Sequence, residues 1–286
     1  MSGWLLEPLQ FEFFRRGLLA ALLVGGLCGL IGPYIILRRM SYIGHGLAHA
    51  VFGGAVVSFA LRVDFYLGAG LWGLLAALLI GLVARRRAIG ADAAIGIVTT
   101  ASFALGVAIL SRTRQFTRNF EAALFGNILG VTERDLWVIG GVAVISGLFL
   151  LLTYKPLLFV LFDPEVAAAS GLPVGRLEAG LSLVLASTVI AALQVLGATL
   201  IAASVVIPAV TARLLTHHFD RLVLLSTVLG ALCGLVGLYL SYHLDVASGA
   251  TIVLVATLLF ALVFLGTWAR QRQSGRRLTL PSHLVE

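Results

Sequence analysis

The sequence is poor in charge. Only 12% of its 286 residues are Asp, Glu, Lys or Arg, against roughly a quarter in a soluble chain. Sixty per cent are hydrophobic, and the mean hydropathy is +1.05. No water-facing fold hides that much apolar surface in one core, so a soluble globular domain is excluded and lipid is the solvent. Lysine occurs once, at Lys155, and no Gly-x-x-x-x-Gly-Lys-Ser/Thr phosphate loop surrounds it. The chain therefore cannot hydrolyse ATP by itself. Cysteine occurs only at Cys28 and Cys233, both inside apolar runs. Thiols so placed pack as small hydrophobes, which excludes a disulfide framework and a thiolate metal cluster.

What is present is a series of apolar runs. A spanning helix needs roughly 20 mostly apolar residues, and such runs lie near 17–37, 42–61, 65–84, 93–111, 136–154, 222–243 and 247–269. Between Glu178 and Arg213 a charge-free stretch has room for two short spans, or for one span and a re-entrant piece. The expected fold is all-α: a polytopic transmembrane helical bundle of eight or nine spans, one domain over 1–286.

The net charge of +7 could serve nucleic acid, but the arginines gather at the ends of apolar runs, the pattern that orients a membrane protein. No nucleic-acid partner is expected. Arg38–Arg39, Arg85–Arg87, Lys155 to Arg176, Arg213 to Arg221 and a basic tail at 270–286 belong on the cytoplasmic side. Nine spans with an external N-terminus satisfy all of these, and leave 112–134 extracytoplasmic despite Arg112, Arg114 and Arg118. Residues 1–16, with Phe11, Phe13, Phe14 and Arg15–Arg16, read as an interfacial segment rather than a cleavable signal.

Two motifs concern packing and two concern chemistry. Gly25-x-x-x-Gly29 and Gly230-x-x-x-Gly234 have the spacing that lets helices approach closely, within the chain or between subunits. The ordinary reading is packing within the chain.

The chemical signal is strongest in Gly44-His45-Gly46-Leu47-Ala48-His49. Residues four apart share a helix face, an ionisable group inside a span is costly, and neutral imidazole is a good ligand for zinc and iron and a weaker one for manganese. The bland alternative is a pair of histidines each bonded to a neighbouring helix. A zinc-hydrolase reading fails, because Gly46 stands where His-Glu-x-x-His needs its Glu, and no other carboxylate lies in that run. His217–His218 fall in a predicted cytoplasmic turn and read as solvated. His243 and Asp245, at a predicted outer end, are weaker candidates for the point where metal is admitted.

The second chemical motif is Asp163-Pro164-Glu165-Val166-Ala167-Ala168-Ala169-Ser170-Gly171-Leu172-Pro173. Asp163 suits the N-cap, Pro164 the first helical position, and Glu165 the positive end of the dipole. Gly171 can close the helix and Pro173 prevents its continuation. A short cytoplasmic helix with a small alanine face can lie in a partner's groove, or can simply connect two spans.

These residues resemble a known family. Ile35-Ile36-Leu37-Arg38-Arg39-Met40-Ser41 leading into Gly44 to Ala50 is similar to the second-span region of ABC-3 permeases, the membrane subunits of bacterial manganese, zinc and iron importers. Asp92 to Ile97, Phe103 to Gly106, Leu124 to Leu129, Phe162 to Glu165, Ile207 to Leu215, and Tyr239 to Tyr242 leading to Ser248 to Ala250 continue the resemblance in order over roughly 15–268. It implies a homodimer of this chain, two cytoplasmic ABC ATPase subunits that use the ATP, and an extracytoplasmic metal-binding protein. The divalent transition metal is then substrate, and no covalently bound cofactor is implied. By the same resemblance 163–171 is the coupling helix, with Asp163, Pro164, Glu165, Ala167, Ala168 and Gly171 as its residues. The family's second span typically carries Asp and His where this chain has His45 and His49. His49 matches and His45 departs, exchanging a hard anionic ligand for a softer neutral one. Gly53 and Ala247 also depart, standing where the family often has proline.

The expected function is that of an ATP-driven permease of the bacterial inner membrane, moving divalent metal by alternating access. The competing class, an ion-gradient-driven secondary metal transporter, calls for carboxylates or broken helices near the midplane. No charged residue lies deep in any long run here. A purely structural membrane protein would leave the histidine pair without a role.

Overall fold

Backbone inside lipid has no water to bond to, and an open chain meets that demand as helix. The computed structural model describes residues 6–38, 43–84, 90–113 and 126–273, and every apolar run in them is helical. A 3-10 turn at Pro8–Gln10 leads into α1 (Glu12–Leu37), then α2 (Ile43–Leu61), α3 (Phe65–Ala84) and α4 (Ala91–Thr113). After a second 3-10 turn at Ile128–Gly130 come α5 (Glu133–Leu152), α6 (Tyr154–Phe162), α7 (Pro164–Ala169) and α8 (Val174–Leu196). The chain continues as α9 (Ile201–Leu215), α10 (Phe219–Leu244) and α11 (Ser248–Gln273).

Among the described residues seven helices are long and apolar enough to cross a membrane, and two shorter apolar helices lie in α2 and α9. The stretch after Glu178 is thus one full helix and one partial helix. With 15 residues, α9 is about 22 Å long, short of the roughly 30 Å hydrocarbon layer. The first helix starts earlier than its apolar run. Glu12 and Arg16 pair at 2.6 Å one turn apart, which carries the helix through residues expected to lie outside it. Arg39, Arg85–Arg87, Arg114, Arg118 and the tail beyond Gln273 lie outside the described residues.

Side-chain bonds gather the helix ends into two sets. At one end Arg16 reaches Glu133 at 2.9 Å, Arg134 reaches Asp64 at 2.7 Å, and the Tyr66 hydroxyl donates to Asp135 at 2.6 Å. Burial pushes the Asp64 carboxyl up. The Leu67 amide, Arg134 and the Tyr66 amide outweigh it and hold the carboxyl below the usual carboxylate range. At the other end Arg38 pairs with Glu178 at 3.0 Å, Tyr154 bonds Asp220, and Tyr34 meets Phe219 edge to face at 5.2 Å. Burial, and after it the bond to Asp220, raises the Tyr154 phenol well above its ordinary pKa. The second set carries Lys155, Arg176, Arg213, Arg221, Arg270 and Arg272, so it is the cytoplasmic end. Trp137 is 82% exposed near the outer end, and Trp268 lies 4.3 Å beneath the Arg272 guanidinium near the inner one. Amphipathic rings at these two heights suit the two headgroup layers.

The glycine motifs meet each other. Gly25 faces Gly230, Gly29 faces Ser226, and Gly234 faces Ala21, so closely that a Cβ on any of the three would strike the facing carbonyl oxygen. The Ser226 hydroxyl donates to the Gly29 carbonyl at 2.6 Å across this seam. Packing of α1 on α10 is therefore backbone against backbone and lies within one chain.

The core runs through α8, which packs on α1, α2, α3 and α5. Its C-terminus stops short of the outer surface: Val195 and Leu196 share a small cavity with Ala21, Val24 and Gly25 of mid-α1 and Gly230 and Cys233 of mid-α10. The outer segment before α5 dips in to meet it. Asn127 donates its amide to the Gln194 carbonyl at 2.7 Å. Gly126, at φ +79°, lies so close to the Val195–Gly197 backbone that no Cβ fits there.

Candidate metal site and docking helix

His45 and His49 share one face of α2, with Nε2 atoms 3.2 Å apart and rings 4.6 Å apart, edge to face. One imidazole donates Nε2–H and the other accepts, so the pair shares one proton along this contact. Phe103 of α4 lies edge-on to His49 at 5.3 Å and packs on Phe52 at 5.5 Å, closing one side. Glycines bring α2 and α4 together here. A Cβ on Gly46 would lie 2.6 Å from Ile95 Cγ2, and one on Gly106 would lie 2.7 Å from the Gly53 Cα. Gly53 itself abuts the Ser102 carbonyl, so this departure from proline is a close-packing position.

His45 is in the first described turn of α2, yet it is not at the cytoplasmic surface. Neighbouring Gly44 faces α9: a Cβ on it would lie 3.8 Å from the Cα of Ala202, the second residue of that helix. The cytoplasmic end of α9, at Leu215, is about 20 Å further along. Both histidines are half-buried in the isolated chain. The His49 Nδ1 is buried and has no hydrogen-bond partner among the described residues. Nearby hydroxyls are already engaged: Thr99 donates to the Ile95 carbonyl at 2.7 Å and Ser102 to Val98 at 2.8 Å. Among the described residues no three His, Cys, Asp or Glu side chains converge, so one chain offers a two-nitrogen set.

The other candidates lie elsewhere. His243 packs its ring against Tyr242 at 5.2 Å near the outer end of α10. Asp245 is exposed in the left-handed conformation that ends that helix (φ 55°) and opens onto an outer cavity of about 420 Å³ beside Asn127, Ser241 and Ser248. The structure does not bring these two to the α2 pair. His217 and His218 are exposed in the turn before α10.

The segment at 163–171 has the predicted caps. The Asp163 carboxylate accepts from the Val166 amide at 3.0 Å, and Pro164 is the first helical residue of α7. At the other end the Leu172 amide donates to the Ala167 carbonyl at 3.1 Å and the Gly171 amide to Ala168 at 3.0 Å. That double bond pattern needs a left-handed residue, which Gly171 supplies at φ +83°. Glu165, Val166 and Ala168 are exposed, but Ala167 is fully buried. It fixes α7, which packs on α6 and α8, to its own chain, so it is not part of the free face. Phe103 was not singled out as a site residue from sequence. Its spacing with Thr99 and Gly106, one face of α4, is the signal that points to it.

Residues 10–267 match the ABC 3 transport family. The chain belongs to that family. It is 41% identical over 258 residues to the manganese transport system membrane protein MntC of Halalkalibacterium halodurans, covering 90% of this chain and 88% of that one. It is 36% identical over 265 residues to a probable iron transport system membrane protein of Haemophilus influenzae, covering 93% and 94%. Among solved structures, PsaBC from Streptococcus pneumoniae in complex with Fab superposes with a TM-score of 0.82 at 35% identity, covering 92% of this chain and 95% of that one. An inward-facing metal-chelate type ABC transporter matches at TM-score 0.68 and 17% identity, covering 88% and 86%, and shares the fold. This ABC-3 chain is a multi-pass permease subunit of the cytoplasmic membrane, and the gradient-driven alternative is not favoured.

Proposed function

We propose that the chain works as a homodimeric permease that passes a divalent transition metal inward, using His45 and His49 as a transient site. A separate ABC ATPase docked on α7 drives the cycle, and an extracytoplasmic binding protein delivers the metal. The observation that carries the reading is the 3.2 Å separation of the two Nε2 atoms inside the bundle. With metal–nitrogen bonds of about 2.1 Å, that separation subtends about 100° at the ion, between tetrahedral and octahedral values. The ion takes the place of the shared proton, and each imidazole then carries its own proton on Nδ1. Two neutral ligands hold weakly enough to release. A second copy facing the half-buried pair would double the donor set about a two-fold axis.

The test is uptake of manganese, zinc and iron into liposomes holding the permease, its ATPase and the binding protein. Uptake that requires ATP supports the reading, and uptake that persists without the ATPase overturns it. Two variants refine it. His45→Asp restores the ligand typical of the family and is expected to raise manganese uptake relative to zinc by several-fold, because a carboxylate suits the harder ion. An unchanged ratio would take His45 out of the selectivity step. Ala168→Trp adds bulk to the exposed face of α7 and is expected to lower ATPase co-purification and uptake about tenfold together, roughly 1.4 kcal/mol of docking energy. Normal co-purification would move the docking surface away from α7.

A further inference from the structure

The cytoplasmic ends of α3 and α8 stand apart and leave a lateral cavity of about 460 Å³. Its wall is apolar: Ala77, Leu78, Gly81 and Leu82 of α3 face Ala179 of α8. Leu78 is 39% and Leu82 61% exposed, so the wall continues onto the exposed flank of the chain. Its head is charged. Arg38 from the end of α1 and Arg176 from the first turn of α8 both line it, together with Glu178. Glu178 holds Arg38 at 3.0 Å, with each side chain little more than a fifth exposed. Arg176 is exposed and forms no ion pair among the described residues. Among the described lining residues, two guanidinium groups and one carboxylate leave one net positive charge, at the positive end of the α8 dipole. One end of the cavity therefore suits a single phosphodiester and the other suits acyl chains, at the height of the inner leaflet.

We propose that this cavity binds one anionic phospholipid of the cytoplasmic leaflet, its phosphate between Arg38 and Arg176 and its chains along α3. Basic clefts between helices on the cytoplasmic side favour such headgroups, and the guanidinium fork matches phosphate oxygens. The site lies beside α7, so its lipid braces the start of α8 against α3 where the docking helix is attached. It does not depend on the metal reading, because no residue of the α2 pair takes part.

The test is native mass spectrometry of the full-length permease, purified in neutral detergent and mixed with phosphatidylglycerol, with phosphatidylcholine, or with inorganic phosphate. One phosphatidylglycerol retained per chain is expected, with phosphatidylcholine and phosphate retained far less. Arg176→Gln is expected to lower retention roughly fivefold without changing the melting temperature, because Arg176 supports no ion pair among the described residues. Gly81→Phe fills the wall without touching the charges, since a Cβ there meets open space, and is expected to abolish retention. Equal retention of both lipids, or unchanged retention in both variants, overturns the proposal. So does release of the lipid when the ATPase binds, which would make the cavity a protein-docking surface.

Discussion

ATP-driven metal uptake is expected to fall roughly a hundredfold when His45 and His49 are both replaced by alanine, while the permease still assembles with its ATPase. Losing a single orienting group beside a metal commonly costs 10–100-fold, and this variant removes both nitrogens of the proposed site. The bundle should tolerate the change. Both side chains are half-buried and lie on a single α2 face, and the closest α2–α4 approaches are made at Gly46, Gly53 and Gly106, with the His49–Phe103 ring contact beside them. The measurement is initial uptake in proteoliposomes at matched protein content, with ATP hydrolysis recorded in parallel. Uptake within a factor of two of wild type would remove the histidines from the metal route and leave the family assignment standing. Each single variant is expected to fall between the two, since one imidazole still offers one ligand.

Gly29→Val is expected to lose the folded permease altogether, whereas Gly26→Ala, one turn away and also turned toward α10 but less tightly packed, is expected to be near neutral. The added Cβ at residue 29 would strike the Ser226 carbonyl and would displace the hydroxyl bonded to the Gly29 carbonyl. Overpacking a tight contact costs about 1–3 kcal/mol and more where backbone opposes backbone, and domains have only about 5–15 kcal/mol in hand. At residue 26 the nearest atoms are the Ala231 Cβ at 3.8 Å and the Thr227 Cγ2 at 3.9 Å, ordinary contact distances. Fluorescence-detected size exclusion of tagged permease in detergent separates the outcomes. A monodisperse Gly29→Val peak at wild-type yield would show that α1 and α10 can part, and the seam would lose its structural role.

The architecture was legible because a bilayer makes few demands and the chain meets them openly. Apolar runs mark the helices, and arginines such as Arg38, Arg176 and Arg213 mark the inner end. The stretch from Glu178 to Arg213 was legible only in part: without a charge or a proline between its two helices, Gly197 is the single mark of the break, and many glycines of this chain lie inside helices instead. The His45–His49 pair could be read because four-residue spacing fixes a shared face. Phe103 could not, because its place against His49 depends on how closely three glycines let α4 approach. Ala167 and Ala168 were indistinguishable for a similar reason. A six-residue helix is too short for periodicity to say which alanine turns inward. The cavity between α3 and α8 has no sequence signature, since α1, α3 and α8 give it residues near their cytoplasmic ends.

Because α9 does not reach the outer surface, something else must keep ions from leaking past the tip of the α8–α9 hairpin. The segment at 126–130 covers that tip with peptide groups, Asn127 bonding Gln194 and Gly126 seated on the Val195–Gly197 backbone. A cover made of main chain is hard to erode by exchanging one side chain for another. The barrier on the outer side is thus closer to a stopper than to a sieve.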